Sequence, residues 1–182
     1  EFLSQLNGMF GFAIWDKKRK RLLIARDRLG IKPLYYTCAN NRLIFASELK
    51  SILASGSVRP SVDPEAMFDY LIYYYIPGGR TPFREIQKLP PGHLLIAEKD
   101  HFSIRRWWDL ADYAEPTAMD REEAVEQVRE LFFDSVRLRM RSDVPVGTYL
   151  SGGLDSSLVT AVAAKETDIP FATFSVEFSQ SE

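Results

Sequence analysis

The chain has 182 residues, with 23 Lys+Arg against 25 Asp+Glu for a formal net charge of −2, and 46% hydrophobic and 26% charged positions. That is a globular composition without the basic excess of a nucleic-acid binder, and no apolar run approaches the roughly 18 residues of a membrane span. Nucleic acid and membrane are therefore excluded as partners, and with no leader segment a cytoplasmic location is expected. One cysteine, Cys38, rules out an internal disulfide framework, and two histidines, His93 and His101, are too few for a metal cage.

In chain order, Met9–Trp15, Arg21–Ala25, Leu34–Thr37 and Leu43–Ala46 read as short strands rich in Ile, Phe, Tyr and Leu. The breaks between them, Asp16 to Lys20 and Ala39-Asn40-Asn41, suit tight turns, so the four runs predict an antiparallel meander. The basic residues 17–21 read as a solvated turn and Cys38 as a small packing residue. Ser47–Ala54 and Pro64–Tyr75 follow as helices, the second with Asp63 as N-cap and Pro64 at its first position, stopping at Pro77-Gly78-Gly79. Its aromatic residues Phe68, Tyr70, Tyr73, Tyr74 and Tyr75 read as a packing surface. Leu94–Ala97 and Phe102–Trp107 predict one more hairpin, and the polar, Pro-containing residues 111–119 read as a linker between domains.

Beyond the linker, Asp120 and Glu123 form a capping-box pattern. Ala124, Val128, Leu131, Phe132, Val136 and Met140 then repeat at helical spacing, which predicts a long amphipathic helix. An apolar run Val144–Leu150, a small-residue loop, a helical run Leu158–Lys165 and a second apolar run Phe171–Phe178 complete a βαβ unit and hence a parallel sheet. The chain opens at Glu1 with no leader or cap, and only four polar residues follow the last apolar run. An internal piece of a longer protein is the expectation.

The loop Ser151-Gly152-Gly153-Leu154-Asp155-Ser156-Ser157 lies between an apolar strand and a helix, where parallel sheets bind ligands. Two glycines let the backbone amides approach a phosphate chain, the serines add hydroxyl donors, and the following helix points its positive end at the same place. No lysine of the GxxxxGK[ST] kind is present, so transfer of a γ-phosphoryl group is not indicated. Asp155 in an anion cradle implies a Mg²⁺ ion shared between its carboxylate and phosphate oxygens; otherwise it merely caps the helix.

SGGLDSS resembles the PP-loop of ATP pyrophosphatases. With Ser142–Ser157, Ala25–Tyr36, Phe45–Leu53 and Leu89–His93, nearly the whole chain is similar to glutamine-hydrolysing asparagine synthetase. The resemblance implies an incomplete α+β antiparallel-sheet glutaminase part of the Ntn type in residues 1–110. The start of an α/β parallel-sheet, adenine nucleotide α hydrolase-like domain follows in residues 120–182. It implies glutamine, aspartate and ATP as substrates, Mg²⁺ as cofactor and a homodimer of the full-length protein. Leu150, Ser151, Gly152, Gly153, Leu154, Asp155, Ser156, Ser157 and Val176 become the ATP and pyrophosphate contacts, with Asp155 the metal ligand. Leu150 and Val176 read equally as ordinary strand core. The family's N-terminal cysteine nucleophile is not in this sequence, and the piece alone is expected to be inactive. Asn7-Gly8 is similar to the family's oxyanion pair but lies in the wrong context and reads as a turn. Arg26, Asp27, Lys32 and Glu48, in the segments most like the family, are candidates for coupling the two active sites. A relative adenylating another carboxylate, as in a β-lactam synthetase or a peptide- or polysaccharide-modifying amidotransferase, and a nucleotide-binding module without catalysis are the other readings.

Overall fold

The computed structural model describes residues 2–99, 101–114, 118–167 and 170–177, and the chain divides into two compact units, residues 1–115 and 116–182. The first unit opens with a short helix, α1 (Phe2–Gln5), followed by strands β1 (Gly11–Asp16), β2 (Arg21–Arg26), β3 (Tyr35–Ala39) and β4 (Arg42–Ala46). Helices α2 (Leu49–Ala54) and α3 (Pro64–Tyr73) come next, then strands β5 (Gln87–Lys88), β6 (His93–Glu98) and β7 (His101–Arg106) and a 3-10 turn at Leu110–Tyr113.

All four early strands form where their β-branched and aromatic residues predict them, but not as one meander. β1, β2, β6 and β7 make one antiparallel sheet in that order, and β4, β3 and β5 make another. β2 pairs with β6, Ile24 opposite Leu95, rather than with β3. The meander fails because the segment 27–34 is folded back on itself and cannot act as a hairpin turn. Asp27 accepts hydrogen bonds from the main-chain N–H of Ile31 and of Lys32, both at 2.9 Å. β3 therefore starts in a second layer.

Alternation within β3 sorts its side chains between two cores. Tyr36 and Leu34 join Ile24, Leu89 and Leu95 between the two sheets, while Tyr35 faces Ile52, Val58 and Ile86, where α2 covers the other side. Ile24, Leu95 and Ile52 are at most 1% exposed, and full burial of such a side chain contributes roughly 1.5–3 kcal/mol. At the other end of β3, Asn40 and Asn41 both take positive φ (51° and 59°) in the two-residue turn to β4. Cys38 is exposed, so its expected packing role is not borne out.

Helix α3 starts as its sequence dictates, with the Asp63 carboxylate accepting from the N–H groups of Glu65 and Ala66 and Pro64 in the first position. It ends at Tyr74, which adopts a left-handed conformation. Its aromatic residues do not form a packed surface: Phe68, Tyr70, Tyr73, Tyr74 and Tyr75 are all exposed, Tyr74 to 84%. Ala66 is the helix's buried residue, so only a narrow stripe faces the unit's interior.

The second unit consists of α4 (Arg121–Arg139), β8 (Gly147–Tyr149), α5 (Leu154–Lys165) and β9 (Ala172–Phe174). The Asp120 carboxylate accepts from the N–H of Glu123 at 2.8 Å, as the capping pattern requires, while the Glu123 side chain turns to Gln127 instead of completing the box. β8 and β9 pair in parallel with α5 as the crossover, which confirms the βαβ reading. Both strands are shorter than the apolar runs suggest: β8 starts only after Pro145, which lacks the N–H that a strand would use, and α5 begins four residues earlier than Leu158. Phe178 lies outside the described residues. Val136, Val162 and Ala163 form the core between α4 and α5, flanked by Phe132, Phe133, Met140 and Phe171.

Candidate nucleotide site

Residues 150–157 run from the carboxyl end of β8 into the first turn of α5. Two bonds set where the loop begins: Leu150 N–H donates to Phe174 C=O at 2.8 Å, and the Ser175 hydroxyl donates to Leu150 C=O at 2.7 Å. The loop therefore leaves the sheet beside the end of β9. Gly147 permits the strands to approach this closely, since a Cβ there would stand 2.8 Å from the Phe174 ring and 3.0 Å from Ala172 C=O.

Gly152 has φ +82°, a left-handed conformation that glycine adopts without strain, and a Cβ there would meet nothing within 4 Å. Gly153 is extended and forms the N-cap, with no side chain to close the end of α5. The first-turn amides of a helix have no acceptors within the helix, so those of α5 face the loop's exposed surface. Three hydroxyls converge on the same turn. The Ser151 and Ser156 oxygens are 3.0 Å apart, the Ser156 hydroxyl donates to Gly153 C=O at 3.2 Å, and that of Ser157 donates to the same carbonyl at 2.8 Å. Exposed amides, hydroxyls and a positive helix end suit an anionic ligand of the phosphate type.

Asp155 sits in the first turn of α5, exposed, and is not the helix cap, because no side chain makes a capping hydrogen bond there. The described residues contain no group of three or more His, Cys, Asp or Glu that could hold a metal. One free carboxylate beside an anion cradle fits Mg²⁺, which binds through one or two carboxylates and completes its shell with phosphate oxygens and water. Leu150 is half-buried and Val176 is 76% exposed, two residues beyond β9. Both stand near the carboxyl ends of adjacent parallel strands, where ligand crevices lie. Ser175 is the residue that sequence reasoning passed over. Its sole sequence signal is a hydroxyl residue next to an apolar strand.

The coupling candidates occupy the first unit. Arg26 donates to Lys32 C=O at 2.8 Å and to Leu89 C=O and Gly30 C=O at 2.6 Å each, and burial pushes its guanidinium pKa down. Asp27 is 1% exposed. The two side chains thus hold the 27–33 segment and tie it to Leu89. Lys32 and Glu48 are exposed, and Glu48 pairs with Lys50 at 2.6 Å. At Asn7-Gly8 the chain bends, as the sequence predicts.

No helix of the described residues is long and apolar enough to cross a membrane. Residues 1–108 match the glutamine amidotransferase domain family and residues 127–182 match asparagine synthase. The Bacillus subtilis protein named asparagine synthetase [glutamine-hydrolyzing] 3 is 39% identical over 99% of this chain, which covers 30% of that protein. The Gibberella zeae protein named amidase chry2 is 40% identical over 90% of this chain and 24% of its own length. The solved glutamine phosphoribosylpyrophosphate amidotransferase of B. subtilis aligns with 94% of this chain and 33% of its own at 16% identity and a TM-score of 0.41, a likeness too slight to decide anything. The chain spans about a third or less of the length of these relatives, and each of its units contains one of the matched segments. The chain belongs to the glutamine amidotransferase domain family, whose model matches residues 1–108, more than half of its length.

Proposed function

We propose that residues 1–110 are the C-terminal part of a class II glutamine amidotransferase domain of the Ntn type. Residues 111–119 are then a linker and residues 120–182 the opening of a PP-loop synthetase domain. The whole enzyme makes asparagine and glutamate from aspartate, glutamine and ATP, releasing AMP and pyrophosphate, in the cytoplasm and as a homodimer. The observation that carries this reading is the exposed, lysine-free cradle of residues 151–157 at the carboxyl end of a parallel strand.

In this reading the first-turn amides of α5 and the Ser151 hydroxyl hold the β- and γ-phosphates, joined by the hydroxyls of Ser156 and Ser157 as they turn from Gly153 C=O, and Leu150 and Val176 contact the adenosine. Mg²⁺ held by Asp155 would neutralise the departing phosphates. The aspartate side-chain carboxylate attacks the α-phosphorus, the bond to the β-phosphate oxygen breaks, and pyrophosphate leaves. Ammonia from the glutaminase part then displaces AMP from the β-aspartyl-AMP carbonyl. Arg26, Asp27, Lys32 and Glu48 serve the passage of ammonia between the two reactions. For Arg26 and Asp27, support comes from the rigid segment they build, and for Lys32 and Glu48 from their exposed charge.

A second reading, adenylation of another carboxylate on the same cradle, draws on the amidase name of the Gibberella relative. Release of pyrophosphate by the full-length enzyme, measured with aspartate and with other carboxylates, tests both. Pyrophosphate with aspartate alone supports asparagine synthesis, pyrophosphate with a different acid favours the second reading, and orthophosphate as sole product sinks both. In the same assay Glu48→Ala should lose glutamine-dependent synthesis while ammonia-dependent synthesis persists. Equal loss with both nitrogen donors would remove Glu48 from the coupling path.

A further inference from the structure

We propose that the Asn7-Gly8 bend is a site of spontaneous deamidation, a modification that neither the nucleotide cradle nor the amidotransferase reading involves. Asparagine deamidates when the main-chain nitrogen of the next residue can reach its side-chain carbonyl carbon. That requires an exposed amide, a following N–H not engaged elsewhere, freedom to rotate between the two residues, and little bulk on the second.

All four conditions meet at this bend. Asn7 and Gly8 are both exposed, between the end of α1 and the start of β1. Neither the Asn7 side chain nor the Gly8 N–H has a hydrogen-bond partner among the described residues. The nearest main-chain bonds on either side are those from Leu6 N–H to Leu3 C=O and from Asp27 N–H to Phe10 C=O. Space around Gly8 is open, since a Cβ placed there would meet nothing within 4 Å. The segment is anchored at its flank, where Arg28 donates to Leu6 C=O and Ser4 C=O, while the Asn7 and Gly8 positions themselves stay exposed.

The chain's two other asparagines supply an internal contrast. Asn40 and Asn41 occupy the tight turn of the β3–β4 hairpin, closed by the Ala39–Arg42 and Cys38–Leu43 pairs, and Asn40 donates to Ser57 C=O at 3.4 Å. Their successors, Asn41 and Arg42, carry side chains, and the hairpin fixes the torsions that ring closure must change.

The reaction consumes one water and releases one ammonia, with no change of oxidation state. The Gly8 nitrogen gives its proton to hydroxide and bonds to Asn7 Cγ, the Cγ–Nδ2 bond breaks, and Nδ2 takes a proton from water and leaves as ammonia. Water then opens the five-membered succinimide. Attack at Cγ gives aspartate, and attack at the main-chain carbonyl gives isoaspartate, which adds one atom to the backbone ahead of β1. Either product places a new negative charge next to the carbonyl that Arg28 holds.

The test follows conversion of each asparagine by peptide mass spectrometry after the intact protein is kept at mildly alkaline pH, folded and in urea. Isoaspartate is identified by methylation with an isoaspartyl carboxyl methyltransferase. In the folded protein the Asn7 peptide should convert within about twofold of its rate in urea, because folding does not restrain it. The Asn40-Asn41 peptide should be slowed by folding by roughly an order of magnitude. Gly8→Ala should slow Asn7 conversion roughly tenfold by adding bulk and stiffening the backbone. Protection of Asn7 by folding as strong as that of Asn40 and Asn41, or no conversion at all, overturns the proposal.

Discussion

Two tight segments of this chain use the same kinds of residue to opposite ends. In 26–33, Arg26 and Asp27 spend their donors and acceptors inside the segment and on Leu89, and Asp27 is buried. In 150–157, Asp155 is exposed, is not the helix cap, and stands beside amides that no helix bond satisfies. A segment whose polar groups are all consumed internally is scaffold. One that leaves donors and a carboxylate facing solvent is built to receive a ligand, and the cost of leaving them unpaired is small because water serves them. An Asp in a tight loop is thus not assigned by its motif but by what its oxygens already hold.

Exchanging the carboxylate for an amide at each segment separates the two roles. Asp155→Asn in the full-length enzyme should lower synthetase turnover by roughly 10²-fold or more while leaving thermal unfolding unchanged. Turnover at the wild-type level would return Asp155 to the surface. Asp27→Ala should do the reverse, removing a buried carboxylate and the acceptor of the Ile31 and Lys32 amides and lowering unfolding stability by about 2–4 kcal/mol. Asp27→Asn, which keeps one acceptor oxygen, should recover part of the loss in the same denaturant titration. Gly152→Ala, at a left-handed position with open space around it, should cost about 1 kcal/mol and weaken nucleotide binding measured by calorimetry. An unchanged unfolding midpoint there would show that the loop relaxes freely.

The smallest effect is expected where α4 meets α5. Arg137 makes a two-pronged contact with Glu166, at 2.7 Å and 3.1 Å, and its guanidinium holds the Glu166 carboxyl below its ordinary range. Because the folded-state pKa is depressed, this contribution is complete above the unfolded carboxylate pKa and disappears as pH falls through the lower folded value. Arg137→Ala should therefore shift unfolding slightly at neutral pH and not at all in strong acid. A difference that persists in acid would mean the arginine acts through packing.

Local chemistry was legible in the residues themselves. Asp63-Pro64 and Asp120 start their helices because a carboxylate one position before a helix satisfies its free amides, and no tertiary context is needed for that. The small-residue loop between an apolar run and a helix located the candidate site because ligands of parallel sheets bind at the carboxyl ends of the strands, where such a loop lets backbone amides approach them. The limits of the elements were less legible, as β8 and β9 show, since an apolar run marks burial and not the extent of hydrogen bonding. The exposed tyrosines of α3 could not be told from a buried stripe, because spacing records which residues share a face and not what covers it.

Strand pairing was decided only in three dimensions. β2 takes β6 as its neighbour across some seventy residues because ladder bonds carry no residue identity, and burial of Ile24 against Leu95 selects the partner. Arg26 likewise acquires its meaning from Leu89 C=O, 63 positions away, and the sequence marks neither end of that bond. What the sequence alone determined are turns, caps and the loop's composition, whose causes lie within a few residues. The sheet order and the contrast between a saturated and an open segment arise from contacts between residues far apart in the chain, and only the folded structure brings those together.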